Sequence, residues 1–254
     1  MLAALEINGG MVEYRPAGAS ASARLVVPAT PAGRYTNAQL DDYHDLGGRL
    51  PRRRPFTRAA PMRLSLRARA SRPDPLGTLG FGFWNEPFSV SGSVLSAPSV
   101  VWFFYASPPS DMALVPGVPG HGWKAATLTT GRLPAALLAS GALAAILLTR
   151  VPGLGRPIMN LARRFINAHE APLADVALDQ WHTYELDWKP AEARFRVDGR
   201  ERLRAPAPSA GPLGFVLWID NQYAIASAAG QFGFGVQPLA EPQWLEVADL
   251  RFEV

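Results

Sequence analysis

The sequence predicts an all-β sandwich, and three observations carry that expectation. Short stretches of alternating or apolar residues recur along both halves of the chain. Asp198-Gly199, a hairpin-turn dipeptide, joins two of them. The 23 Gly and 24 Pro among 254 residues supply the turns that a many-stranded protein needs.

The candidate strands, in order, are Leu25–Val27, Tyr35–Asp41, Met62–Ala70, Leu79–Trp84, Ser99–Ala106, Trp123–Thr129, Thr183–Trp188, Arg194–Val197, Leu213–Asp220 and Trp244–Glu253. Arg63 to Ala70 alternates polar and apolar residues, the pattern of a strand with one wet face. Glu185 to Trp188 and Ala193 to Val197 have the same period, and the Asp198-Gly199 turn returns the latter into Arg200–Leu203. Many short strands with regular punctuation point to a sandwich or barrel, and the length suits one large domain spanning 1–254.

Residues 133–168 break this pattern. From Leu133 to Thr149 no residue is charged and Ala and Leu dominate, a composition that favours helix. After the Gly and Pro of Val151–Pro157, Ile158, Leu161, Ala162 and Phe165 recur at helical spacing beside Arg163 and Arg164. The expectation is a helical hairpin inserted between strands. Its uncharged first segment, Leu133–Thr149, is shorter than the ~20 apolar residues a bilayer span requires. A peripheral membrane contact, a lid over an apolar cleft and a plain buried element all fit it.

Composition narrows the function classes. The net charge of +4 comes from a basic set that is nearly all Arg, with lysine at Lys124 and Lys189. Arg52-Arg53-Arg54 reads as a solvated loop; with no nucleic-acid motif and no interleaved aromatics, a nucleic-acid partner is not expected. Without cysteine there are no thiolate metal sites. His44, His121, His169 and His182 lack metal-ligand spacing, so no metal is expected, and no cofactor is called for. The first residues lack a basic n-region and a long apolar run, so the expected location is cytoplasmic.

Trp181-His182-Thr183-Tyr184-Glu185-Leu186-Asp187-Trp188-Lys189-Pro190, followed by Phe195-Arg196-Val197-Asp198-Gly199, resembles the W-x-x-Y-x-x-x-W-x-P … F-x-V-D-G signature of family 16 glycoside hydrolases. The likeness runs from about Tyr35 to Val254, leaving out the insert. It implies a concanavalin A-like jelly roll of two antiparallel sheets, with a concave cleft that holds a ligand. In that family an E-x-D-x-x-E strand supplies nucleophile and acid about 5–5.5 Å apart for retaining hydrolysis. The corresponding stretch here is Ser99-Val100-Val101-Trp102-Phe103-Phe104-Tyr105-Ala106, which contains no acid, so the glycosidase mechanism is not expected.

Candidate site residues lie at the ends of the presumed cleft strands. Trp84-Asn85-Glu86 offers an aromatic, an amide and the acid nearest the cleft; Glu86 reads either as a general acid or as a salt-bridged loop residue. In Trp218-Ile219-Asp220-Asn221-Gln222-Tyr223, alternation puts Trp218 and Asp220 on one face, where both can meet one ligand; the other reading is a strand-end turn in which Asp220 and Asn221 bond to backbone. Asp111, His121 and Lys124 lie on one long loop and at its end, and Trp123 stands between the last two. Trp102 and Phe104 share one face of their strand, which is either core or cleft. Catalytic candidates are therefore Glu86, Asp111 and Asp220. Ligand-binding candidates are Trp84, Asn85, Trp102, Phe104, His121, Trp123, Trp218, Asn221 and Tyr223.

Three readings follow. The first is a protein that binds a glycan or an apolar small molecule in an aromatic cleft. The second is an enzyme of changed chemistry on an isoprenoid- or lipid-like substrate, with protons from the named acids and aromatics facing a cationic transition state. The third is a membrane-associated structural protein. Convergence of the acids on one enclosed apolar pocket would favour the enzyme; scatter would favour binding.

Overall fold

The computed structural model describes residues 2–17, 20–45, 52–86, 98–130, 166–208, 211–226 and 231–254. Within them the chain forms strands β1 (Ala3–Ile7), β2 (Met11–Ala17), β3 (Ser20–Val27), β4 (Asn37–Asp41), β5 (His44–Asp45), β6 (Arg52–Arg53), β7 (Met62–Ala70), β8 (Thr78–Trp84), β9 (Ser99–Ala106), β10 (Gly122–Thr130), β11 (Ile166–Pro172), β12 (His182–Trp188), β13 (Glu192–Val197), β14 (Arg200–Pro206), β15 (Gly214–Asp220), β16 (Gln222–Ala226), β17 (Phe232–Val236) and β18 (Gln243–Glu253).

Two seven-stranded antiparallel sheets result, in the orders β1-β4-β15-β8-β9-β10-β11 and β14-β13-β12-β7-β18-β3-β2, with two-stranded ribbons β16-β17 and β5-β6 beside them. The expected sandwich is present. Period-2 sequences decide which side of each strand is dry. In β7, Met62, Leu64, Leu66, Ala68 and Ala70 are buried, whereas Arg63, Arg67 and Arg69 face out. On the next strands Tyr184, Leu186 and Trp188 of β12 and Ala193, Phe195 and Val197 of β13 join the same core.

The facing sheet contributes Phe81, Phe83, Phe103 and Phe215. Rings interlock across the gap: Phe103 meets Tyr184 at 5.1 Å and Phe195 at 5.3 Å, and Phe83 meets Trp188 at 5.4 Å. Such edge-on and tilted pairs add to the hydrophobic gain from burial, roughly 25 cal/mol per Å² of apolar surface. The signature tryptophans divide accordingly. Trp188 is core; Trp181 lies on the outer side, with the guanidinium groups of Arg67 and Arg69 over its ring at 5.1 and 4.9 Å.

Across the outer side of the second sheet, charges alternate between neighbouring strands. Arg63 pairs with Glu185, Arg196 with Asp187 at 2.6 Å, and Arg69 with Glu246 at 2.8 Å. The predicted Asp198-Gly199 turn joins β13 to β14, with φ of 50° and 75°.

One expectation changes in part. The helical hairpin over 133–168 falls mostly on residues 131–165, outside those described, and its last residues are strand rather than helix. Ile166 and Ala168 belong to β11 and pair with Thr130 and Leu128 of β10. That edge supplies unsatisfied backbone groups, and pairing with it makes 166–172 a strand. Among the described residues there is no helix, and none long and apolar enough to cross a membrane.

Candidate functional site

The registers of the first sheet set out its outer face row by row. Residues directly opposite in a ladder share a face. One row reads Gln39, Trp218, Gly80, Phe104, Lys124, Pro172; the next reads Asp41, Val216, Gly82, Trp102, Ala126, Glu170. A third carries Gly214, Trp84, Val100 and Leu128, and at the opposite end Asn37, Asp220, Thr78 and Ala106 form a fourth. On β9, therefore, Val101, Phe103 and Tyr105 face the core, while Trp102 and Phe104 face out.

Four sequence candidates meet on this face. Trp102 lies 5.2 Å from both Phe104 and Trp218, measured between ring centroids, and Trp84 stacks on Trp218 at 6.4 Å with planes 6° apart. Trp84, Trp102 and Phe104 remain half-buried, and Trp218 is 8% exposed. The rings lie close to the sheet because glycine stands beneath them. A Cβ at Gly80 would come within 2.7 Å of Trp218 Cη2, and one at Gly82 within 2.6 Å of Trp102 Cβ. Gly80 and Gly82 were in plain view in the strand sequence, and their spacing is the signal for a flattened aromatic layer.

Beside Trp84 is a polar network that the sequence reading missed. Tyr43 Oη accepts hydrogen bonds from Trp84 Nε1 at 2.7 Å and Gln39 Nε2 at 3.2 Å, and Gln39 Nε2 also donates to Asp41 Oδ2 at 2.8 Å. His44 places Nδ1 2.7 Å from Asp41 Oδ2 and Nε2 3.2 Å from Glu86 Oε1. Burial opposes the charge on His44, but the hydrogen bonds its ring donates to the two carboxylates, with their negative charge, outweigh it and raise its pKa to about 9. Asp41, His44 and Glu86 are all buried. Both imidazole nitrogens are taken by carboxylates, and no metal-binding group of His, Asp or Glu occurs among the described residues. Spacing alone could not find this trio, because β4 and the end of β8 meet only through β15.

Asp220 occupies the other end of the face. Its Oδ1 accepts from Thr78 Oγ1 at 2.8 Å and from the Gln222 amide at 3.0 Å, while Thr78 Oγ1 accepts from Trp218 Nε1 at 2.9 Å. Burial lifts the Asp220 carboxyl to about 6, with these hydrogen bonds acting the other way. Glu86 follows Trp84 at one end of β8 and Asp220 pairs with Thr78 at the other, so about 20 Å of strand separates the two acids.

The remaining candidates lie elsewhere. Asp111 sits by the β16 ribbon, its amide donating to Ala224 O at 3.0 Å, and its carboxylate packs against Gly120. His121 is exposed. Trp123 turns to the inter-sheet core, 5.8 Å from Phe81 and 5.7 Å from Tyr184, because Gly122 to Thr130 starts its alternation with Lys124 on the outer face. Asn85 closes the β8–β9 end, accepting the Ser99 amide at 2.9 Å. Asn221 is fully buried and ties three backbone segments together, bonding Thr36 N, Arg34 O and Gln237 O. Tyr223 lies on the β16 ribbon opposite Gly235. The candidate acids thus scatter, whereas four aromatics gather.

No family model matches the sequence, and no curated protein matches it. Similar solved structures do exist. A Clostridium perfringens endo-β-galactosidase releasing GlcNAcα1-4Gal has a TM-score of 0.42 and 13% identity over 93% of this chain. The chain spans 54% of that enzyme's length. A legume lectin-like domain from Entamoeba histolytica gives 0.46 and 7%, covering 95% of this chain and 89% of that one. A Bacillus licheniformis β-glucanase gives 0.41 and 12%, covering 91% and 78%. The placement of residues rests on this chain's own registers.

Proposed function

We propose that the outer face of the first sheet binds a carbohydrate ring by stacking it on Trp102 and Phe104, without family-type glycosidase chemistry. One observation carries this reading: the outward positions of β9 hold Trp102 and Phe104, half-buried and stacked at 5.2 Å, where the resembling hydrolases place acids. A flat aromatic surface matches the C–H face of a pyranose, and polar groups on either side match its hydroxyl edge. Gln39 and Asp41 flank the rings on one side, Lys124 and Glu170 on the other.

Binding is preferred to catalysis because the candidate acids are dispersed. Glu86 is engaged by His44, and Asp220 lies about 20 Å along the strands from it, too far for both to act on one bond. The test is a screen of soluble oligosaccharides against the protein and its Trp102→Ala and Phe104→Ala variants, read by isothermal calorimetry. At least one oligosaccharide binds the parent, and each variant weakens it tenfold or more. Unchanged affinity in both variants rules the aromatic face out.

A further inference from the structure

The first sheet buries an ion pair on the same face as the aromatic rings. Lys124 is 2% exposed and stands directly across from Phe104; Glu170, its side chain 8% exposed, is two strands from Trp102 in the adjoining row. The Lys124 ammonium has three N–H donors. Among the described residues it makes one long hydrogen bond, 3.4 Å to Glu170 Oε1. The other carboxylate oxygen, Glu170 Oε2, is buried and makes no hydrogen bond of good geometry among the described residues.

A buried ion pair stabilises only when its remaining donors and lone pairs are satisfied. Here they are not, and an unsatisfied buried group in a folded protein calls for an explanation. Burial also lifts the Glu170 carboxyl above its usual range, against the lowering effects of Lys124 and the Val115 backbone. The neighbouring outward positions on β10 and β11, Ala126, Leu128, Ala168 and Pro172, carry no charge.

Resting on the stacking reading above, we infer that Lys124 and Glu170 form its polar subsite, taking a hydroxyl at the edge of a ring stacked on Trp102 and Phe104. Lys124 Nζ donates to the hydroxyl oxygen, and Glu170 Oε2 accepts a hydrogen bond from the hydroxyl. A hydroxyl is both donor and acceptor, so one such group, or two adjacent ones, answers both vacant valences. Lys124 and Glu170 are then the residues that set which hydroxyl pattern is accepted.

The experiment uses the full chain and ligand-observed NMR. The probes are methyl β-D-glucopyranoside, methyl β-D-galactopyranoside and methyl α-D-mannopyranoside, with the monodeoxy analogues of each. The parent protein loses tenfold or more in affinity at one deoxy position of the glycoside it binds. Glu170→Gln and Lys124→Met lose as much for the parent glycoside and no longer distinguish that analogue. Parent protein that tolerates every deoxy analogue equally overturns the subsite without recourse to any variant. Variants that bind and discriminate as the parent does also overturn it, and leave the stacking reading standing. If none of the three glycosides binds the parent, the subsite is overturned as a site for a single ring, and the oligosaccharide screen alone decides the stacking reading.

Discussion

Trp218 lies across the backbone of Gly80, so close that a Cβ there would stand 2.7 Å from Trp218 Cη2. The two residues are register partners on adjacent strands. Absence of a side chain at one is what lets the indole of the other lie down, with Trp84 and Trp102 packed beside it.

Gly80→Ala must therefore disturb the aromatic layer. The added methyl also meets the carbonyl of Phe103, which is backbone and cannot swing away. Overpacking of this kind costs about 1–3 kcal/mol. Urea unfolding reads the loss, and near-ultraviolet circular dichroism reports the displaced Trp84–Trp218 stack. A variant of parental stability with an unchanged spectrum would show that the rings have room to spare.

His44 makes stability fall on the alkaline side. Its folded pKa, about 9, lies above the ordinary histidine value of 6.5, so its contribution is fully present below 6.5 and lost as pH rises through 9. A shift of this size corresponds to roughly 3 kcal/mol. Thermal unfolding of the parent between pH 6 and 10 records that decline; His44→Gln starts lower at pH 6 and gives a flatter profile. Parallel profiles would place the alkaline loss elsewhere.

Asp220 has the same sign for the opposite chemical reason. Burial raises its carboxyl from 3.8 to about 6, so its neutral form favours the fold at low pH, and that contribution is lost as pH rises through 6. Asp220→Asn keeps an oxygen for Thr78 and the Gln222 amide while removing the charge. Above pH 7 the variant is as stable as the parent or more so, by up to roughly 3 kcal/mol. Marked destabilisation there, measured in urea, would mean that the ionised carboxylate is what holds Thr78 and Gln222.

The sandwich was legible because period-2 strands such as Arg63–Ala70 state which side is dry, and Asp198-Gly199 states where the chain turns. The faces of Trp102 and Phe104 were not, since alternation alone cannot say which side of a strand looks inward; the registers of β8 and β10 decide it. Trp123 was misplaced for the same reason. β1 and β2 escaped notice because half-exposed strands such as Ala3–Ile7 carry little apolar contrast. Ile166–Pro172 became strand by pairing with β10, a long-range contact that no local pattern announces. The Asp41–His44–Glu86 trio was hidden likewise: each member is ordinary in sequence, and only the strand order brings them together.

The seven tryptophans offer the most direct test, because the fold sorts them into three groups. Trp84, Trp102 and Trp218 lie on the outer face of the first sheet, Trp123 and Trp188 in the core, and Trp181 and Trp244 beside arginines on the outer side of the second sheet. Their indole N–H resonances can be followed singly in a 1H–15N spectrum while an oligosaccharide that binds is titrated in. The account predicts that the Trp84, Trp102 and Trp218 signals move while Trp181 and Trp244 stay fixed. Shifts confined to Trp181 and Trp244, with the first three unmoved, would contradict it.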